Sequence, residues 1–219
     1  MKETNKIGFL FDLDGVLIDS ERRYTEIWGE INQLIPTGVM GFEHKIKGTT
    51  LEDILTCYFS EENRPEVVRI LKEREQNMVY DYCRGAEKFL SQIRQAGLRS
   101  AIVTSSNEVK MSRLWDQMPH LRDFFTAVID GNMVSRSKPD PEGYLKGASA
   151  IGASPESCVV FEDSLQGVKA GKAAGAYVVG IAGTLPAATI RPYCDTVINT
   201  LDEIDLDQLI LLLHKRIAL

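Results

Sequence analysis

Asp12 and Asp14 lie two residues apart at the end of an apolar run that starts at Ile7, and Gly15 follows at once. The run Ile7, Phe9, Leu10, Phe11, Leu13 has the texture of a strand buried on both faces, as in parallel sheets. Residues i and i+2 of a strand point to one side, so both carboxyls are expected to face the same spot. Two neighbouring carboxylates repel, and the arrangement calls for a cation between them or for a proton shared by the pair. Taken alone, Asp-x-Asp-Gly is equally well read as a strand running into an acidic turn, where Asp and Gly are common.

Positioning such a pair requires a sheet, and the second half of the chain supplies one. From Gly85 onward, helical and strand patterns alternate. Helix 86–97 precedes strand 98–104, and helix 108–118 precedes strand 125–130. Helix 141–152 and strand 157–162 follow, then helix 165–175 and strand 177–181. Strand 195–199 and helix 205–217 close the chain. This alternation predicts an α/β fold, a Rossmann-like doubly wound parallel sheet with helices on both faces. Residues 20–80 read as helical and charged instead. Ser20-Glu21 suits a helix start, Pro36 and Gly38 break the pattern, Thr50 and Asp53 resemble a capping box, and a helix is expected over about 64–80 from Pro65. A small all-helical cap domain, residues 16–84, is therefore expected as an insert in a core of residues 1–15 and 85–219. Its hinges would lie near 15–20 and 80–86.

Ligands of open parallel sheets bind at the carboxyl ends of the strands. Besides Asp12 and Asp14, those ends carry Thr104-Ser105-Ser106-Asn107, a loop ending in Ser137-Lys138-Pro139, and Glu162-Asp163-Ser164. Each has a plain structural reading: an N-cap, a solvated lysine, acids at a helix N-terminus. Together they place acids, hydroxyls, a lysine and a helix start around one crevice, a set suited to a phosphoryl group on Mg²⁺. Asp12, first off the strand, is the candidate nucleophile. Asp14 is the candidate general acid and base. Asp12, the backbone carbonyl of Asp14, and Asp163 are candidate Mg²⁺ ligands, with Glu162 nearby through water. Thr104, with Ser105, Ser106 and Asn107 after it, would hold phosphate oxygens at a helix start, and Lys138 would offset their charge.

Composition narrows the classes. The chain has 219 residues with 25 Lys plus Arg against 31 Asp plus Glu, a net charge of −6. That balance argues against non-specific nucleic-acid binding. No apolar run is long enough to span a bilayer. MKETNK runs directly into the first strand, which leaves no room for a signal peptide. Cys57, Cys83, Cys158 and Cys194 show neither zinc spacing nor a disulfide framework. A cytoplasmic monomer with no membrane or nucleic-acid partner is expected.

The segments FDLDGVLIDS, IVTSSN, SKPDPEGY and VFEDSLQGVKAGKAAGA, in this order, resemble the haloacid dehalogenase superfamily in its Mg²⁺-dependent phosphotransferase branch. The resemblance spans nearly the whole chain. Within it, the subgroup most similar is that of β-phosphoglucomutase-like proteins and sugar-phosphate phosphatases, through KGTTLED at 47–53 and the Tyr24…Trp28 helix. The dehalogenases lack the acid at Asp14, so the resemblance disfavours dehalogenation. It implies a phosphatase acting on a small phosphorylated metabolite through an aspartyl phosphate. Two departures weigh against a mutase: Tyr24 stands where the mutases carry a histidine, and Leu51 where they carry an arginine that grips a second phosphate. Arg74 or Lys47 would have to substitute.

Substrate choice would fall to cap residues, with His44, Lys45, Lys47, Thr49, Thr50, Arg74 and Asn77 as candidates. Lys47 and Thr49 lead because Gly48 permits close approach. Trp28 and Tyr24 read as cap core. The competing readings are a β-phosphoglucomutase, an inorganic pyrophosphatase, and a signalling receiver domain carrying an aspartyl phosphate. Receiver domains are shorter and lack the helical insert.

Overall fold

A computed structural model describes residues 7–46, 49 and 51–217. The chain forms two compact units, one of residues 1–18 with 81–219 and one of residues 19–80. The sequence placed the joints at 15/16 and 84/85. The pairing of Ile18 with Tyr82, and the bond from Cys83 N to Leu17 O at 2.9 Å, keep both chain ends with the larger unit.

Among the described residues, the larger unit carries six parallel strands: β1 (Gly8–Phe11), β2 (Arg99–Val103), β3 (Ala127–Ile129), β4 (Cys158–Glu162), β5 (Tyr177–Ile181) and β6 (Thr196–Ile198). Their order is β3-β2-β1-β4-β5-β6. The parallel α/β sheet expected from the sequence is therefore present, with β1 at its centre. The order reverses beside β1, and a crevice opens at the carboxyl edge of such a switch point. The apolar run of β1 alternates between two buried faces. Phe9 and Phe11 pack on Phe89 and Phe161, with Phe11 and Phe161 stacked at 4.5 Å. Leu10 faces the other way, into a cluster with Val103, Tyr144 and Ala148. The rings anchor the central strands where burial is complete.

Helices connect the strands. In chain order the helices of the molecule are α1 (Ser20–Leu34), α2 (Phe42–Lys45), α3 (Leu51–Tyr58), α4 (Arg64–Gln76), α5 (Ala86–Gln95), α6 (Glu108–Gln117), α7 (Pro119–Arg122), α8 (Glu142–Ala150), α9 (Leu165–Ala173), α10 (Ala187–Ile190) and α11 (Leu206–Ile217). α1 to α4 make up the smaller unit. There Trp28, Phe42 and Phe59 form an aromatic core, with Trp28 and Phe42 edge-to-face at 5.9 Å. Trp28 is thus core, as its spacing suggested. The side chain of Asp19 caps α1 by accepting from Arg22 N at 3.2 Å.

Among the boundaries that differ from expectation are the ends of β1 and α4. The first strand stops at Phe11 because Leu13 begins a tight turn, accepting from Leu17 N and Ile18 N. α4 ends at Gln76 rather than at residue 80. Met78 and Tyr80 are buried while Val79 is exposed, an alternation that only extended chain provides. The capping-box residue Thr50 lies outside the described residues.

Candidate active site

The carboxyl edge of β1, β2 and β4 gathers most of the polar residues singled out above. Asp12 directly follows β1 and is buried, with its backbone N–H donating to Phe161 O at 3.0 Å. Lys138 reaches in from the loop after β3. Its ammonium donates to Asp12 Oδ1 at 2.5 Å, Glu162 Oε1 at 2.6 Å and Val103 O at 3.1 Å. An ammonium has three protons, so Lys138 is fully engaged. It is therefore not a solvated charge. The loop is held by Glu142, which accepts from Ser135 N and Arg136 N. Lys146 and these amides draw the Glu142 carboxyl down to about 2.

Glu162 ends β4 and is wholly buried. Oε1 accepts from Lys138 and from the Tyr144 hydroxyl at 2.9 Å, and Oε2 accepts from Asp163 N, Ser164 N and the Ser164 hydroxyl. Ser164 also caps α9 by accepting from Gly167 N at 3.0 Å. A buried carboxylate with this many donors is a fixed anchor. Gly167 is required here: a Cβ would fall 1.7 Å from Glu162 Oε1.

Asp12, Glu162 and Asp163 each offer an oxygen, and all three lie within 4.8 Å of one another. Gly15, at φ +73°, clears room for Asp163, since a Cβ there would fall 2.0 Å from its Oδ2. Asp163 Oδ2 also accepts from the Thr184 hydroxyl. Burial pushes the Asp12 carboxyl up to about 7. Lys138 works against that, while Glu162 and Asp14 add to it. Burial lowers the Lys138 pKa, but the two carboxylates outweigh it and hold the ammonium charged. The cluster thus sets three acids against one lysine. Its donors are hard carboxylate oxygens, the set that suits Mg²⁺.

Asp14 has donors of its own. Its carboxylate is not among the clustered oxygens but accepts from Lys110 Nζ at 2.6 Å and from the Ser106 hydroxyl at 3.0 Å. The i, i+2 rule holds within a strand, and β1 ends before either acid. Asp14 sits instead in the turn that pairs it with Ile18.

Thr104 directly follows β2, is buried, and accepts from Ser106 N at 3.0 Å through its hydroxyl. Asn107 caps α6, accepting from Lys110 N at 3.0 Å. Its side chain does the capping the plain reading assigned. Ser105 and Asn107 are exposed, and Ser106 is half-buried.

Among the described residues of the smaller unit, the candidates are surface groups. Arg74 pairs with Glu30 at 2.7 Å, and Asn77 donates to Glu73 O at 3.0 Å. Thr49, His44 and Lys45 are exposed. Tyr24 donates to Glu75 Oε1 at 3.0 Å, and both line a concavity with Thr25, Trp28, Glu43 and Leu51. Lys47, Gly48 and Thr50 lie outside the described residues.

Residues 8–175 match the family of haloacid dehalogenase-like hydrolases. The chain belongs to that family. Hexitol phosphatase A of Escherichia coli (strain K12) is 35% identical over 207 residues, covering 90% of this chain and 92% of the relative. The β-phosphoglucomutase of Bacillus subtilis (strain 168) is 27% identical over 190 residues, covering 78% and 80%. A solved HAD family hydrolase of Deinococcus radiodurans R1, with bound phosphate and sodium, aligns with a TM-score of 0.77 at 26% identity, covering 92% of this chain and 94% of that one. The haloacid dehalogenase-like hydrolase described here uses a parallel sheet edge to hold its acids, and no described helix is long and apolar enough to cross a membrane.

Four residues of this edge were not found from sequence: Lys110, Tyr144, Gly167 and Thr184. Lys110 and Tyr144 stand within helical patterns whose apolar spacing masks them. Gly167 follows Ser164 at N-cap distance, which is a usable signal for a crowded helix start. Thr184 has no local signal, because only the fold brings it to Asp163.

Proposed function

We propose that this enzyme is a Mg²⁺-dependent phosphoric monoester hydrolase acting on a small sugar or sugar-alcohol phosphate through an aspartyl phosphate on Asp12. One observation carries the reading: a buried Asp12, held by Lys138 at 2.5 Å, beside two further buried acids. The name of the E. coli relative supports the substrate class.

Asp12 attacks phosphorus through a carboxylate oxygen, and the bond to the leaving oxygen breaks. Asp14 protonates that oxygen, then takes a proton back from the water that cleaves the aspartyl phosphate. Thr104 and the amides after it, with Ser105, Ser106 and Asn107, cradle the phosphoryl oxygens. Lys138 steadies Asp12 and the charge that develops on the transferring group. Asp12, Asp163 and the Asp14 carbonyl would hold Mg²⁺, with Glu162 adjacent. Bound there, the ion offsets charge on the carboxylates and phosphoryl oxygens. Residues 16–84 act as the specificity cap, with Lys47, Thr49 and Arg74 as its candidate contacts.

Hydrolysis is favoured over mutase chemistry. Leu51 cannot grip a second phosphate, and Arg74 is already paired with Glu30. The test is a panel of hexitol, hexose and pentose phosphates with inorganic pyrophosphate, run with Mg²⁺ and after its chelation. Mg²⁺-dependent release of phosphate from a sugar or polyol ester is expected. Turnover of β-glucose 1-phosphate to glucose 6-phosphate without free phosphate would establish the mutase instead. Release from pyrophosphate alone would establish the pyrophosphatase, and no release from anything would favour a signalling role.

A further inference from the structure

We propose that Lys110 is a positioning residue: with Ser106 it fixes where the Asp14 carboxylate points, so that its proton meets the leaving oxygen. The proposal rests on the reading of Asp14 as the acid. Lys110 Nζ lies 2.6 Å from Asp14 Oδ1, and the Ser106 hydroxyl lies 3.0 Å from Asp14 Oδ2. Each carboxylate oxygen thus has its own donor, which removes rotation about the carboxyl bond as a freedom. Both side chains of the pair are mostly shielded, at 20% exposure for Lys110 and 30% for Asp14. Such a pair is held more firmly than a surface ion pair.

The backbone fixes both donors. Lys110 lies in the first turn of α6, and its own N–H is the one that Asn107 caps at 3.0 Å. Ser106 is fixed in the same stretch, because its N–H donates to Thr104 Oγ1 and its carbonyl accepts from Gly131 N at 2.8 Å. One short segment, 104–110, therefore carries the candidate phosphate cradle and both donors to the acid. Asp14 itself stands in a turn rather than in the sheet, so the ladder of β1 does not orient it. Its orientation has to come from side chains, and Ser106 and Lys110 provide it.

In the step concerned, Asp12 forms a bond to phosphorus, the bond from phosphorus to the ester oxygen breaks, and that oxygen takes the electron pair and a proton from Asp14, which enters the step as the carboxylic acid and leaves it as the carboxylate that Lys110 and Ser106 hold. An alkyl alcohol needs this proton in order to leave. A p-nitrophenolate does not, because it is a stable anion. Misplacing Asp14 should therefore slow alkyl esters selectively.

The experiment measures kcat/KM for the fastest alkyl phosphate of the panel above and for p-nitrophenyl phosphate. The variants are Lys110→Met, Lys110→Arg, Asp14→Asn and Lys110→Met with Asp14→Asn. For Lys110→Met the ratio of alkyl to aryl kcat/KM should fall by about 10-fold or more, part of the 10²–10⁴-fold that acid catalysis supplies. Lys110→Arg should recover part of that ratio, and the double variant should be no slower on the alkyl ester than Asp14→Asn alone. Equal losses on both esters would make Lys110 a substrate contact or a fold element and overturn the proposal. An unchanged ratio in Lys110→Met beside a lowered one in Asp14→Asn would overturn the proposal and leave Asp14 as the acid. An unchanged ratio in Asp14→Asn would instead remove the acid assignment on which the proposal stands.

Discussion

The candidate site of the larger unit and the surface of the smaller unit treat their charged residues in opposite ways. In the larger unit, Glu162 is buried and Lys138 mostly shielded, both bonded to capacity, and glycines at 15 and 167 keep side chains away from the acids. In the smaller unit, charged groups pair across exposed helix surfaces, as Arg74 does with Glu30 and Arg69 with Glu66 and Glu73. Removing a charge from solvent costs far more than an exposed pair returns, so it is kept only where compensating bonds are built around it. The difference separates a preorganised site from a solvated surface.

That contrast can be broken or sharpened by substitution. The largest effect is expected from Asp12→Asn, which should abolish turnover of every ester and the aspartyl phosphate with it. Measurable turnover, or a phosphate adduct in the mass of the variant, would remove the nucleophile assignment. Asp14→Asn comes next, slowing alkyl esters by about 10²–10⁴-fold. A rate unchanged from the parent would pass that role to another residue.

Asp163→Asn should raise the Mg²⁺ concentration needed for half-maximal rate, and an unaltered metal dependence would exclude Asp163 as a ligand. Gly167→Ala tests the packing around Glu162. Its methyl has to displace a fully bonded carboxylate, so a loss of about 1–3 kcal/mol is expected in denaturant unfolding. A neutral result would show that α9 yields more easily than its spacing implies. The smallest effect belongs to the helical unit. Arg74→Ala removes an exposed pair and should change stability by less than about 1 kcal/mol. A larger loss would blur the contrast between the units, and a selective rise in KM would make Arg74 a substrate contact.

Much of the larger unit was legible because its strands are buried on both faces. Runs such as Phe9-Leu10-Phe11 and Val159-Val160-Phe161 admit few other placements, and the helices between them impose parallel order. The site followed from the rule that strand ends carry the ligand, which singled out Asp12, Thr104, Lys138, Glu162 and Asp163. The turn that holds Asp14 was not legible, for a local reason. Periodicity gives direction only while the strand lasts, and hydrogen bonds to Leu13 O turn the chain out of the strand. α4 was drawn too long because Met78 and Tyr80 suit a helix as readily as an extended segment until burial decides.

The residue types and their order determined the parallel sheet, the helical insert and the acids available for chemistry, since each follows from short-range pattern and the cost of burying charge. Tertiary structure alone decided how those acids divide. Lys138 and Tyr144 converge on Glu162, Thr184 meets Asp163, and Lys110 holds Asp14, each across at least 18 positions of sequence. Contacts of that kind leave no periodicity behind, because they are set by where whole helices and strands end rather than by what neighbours them in the chain.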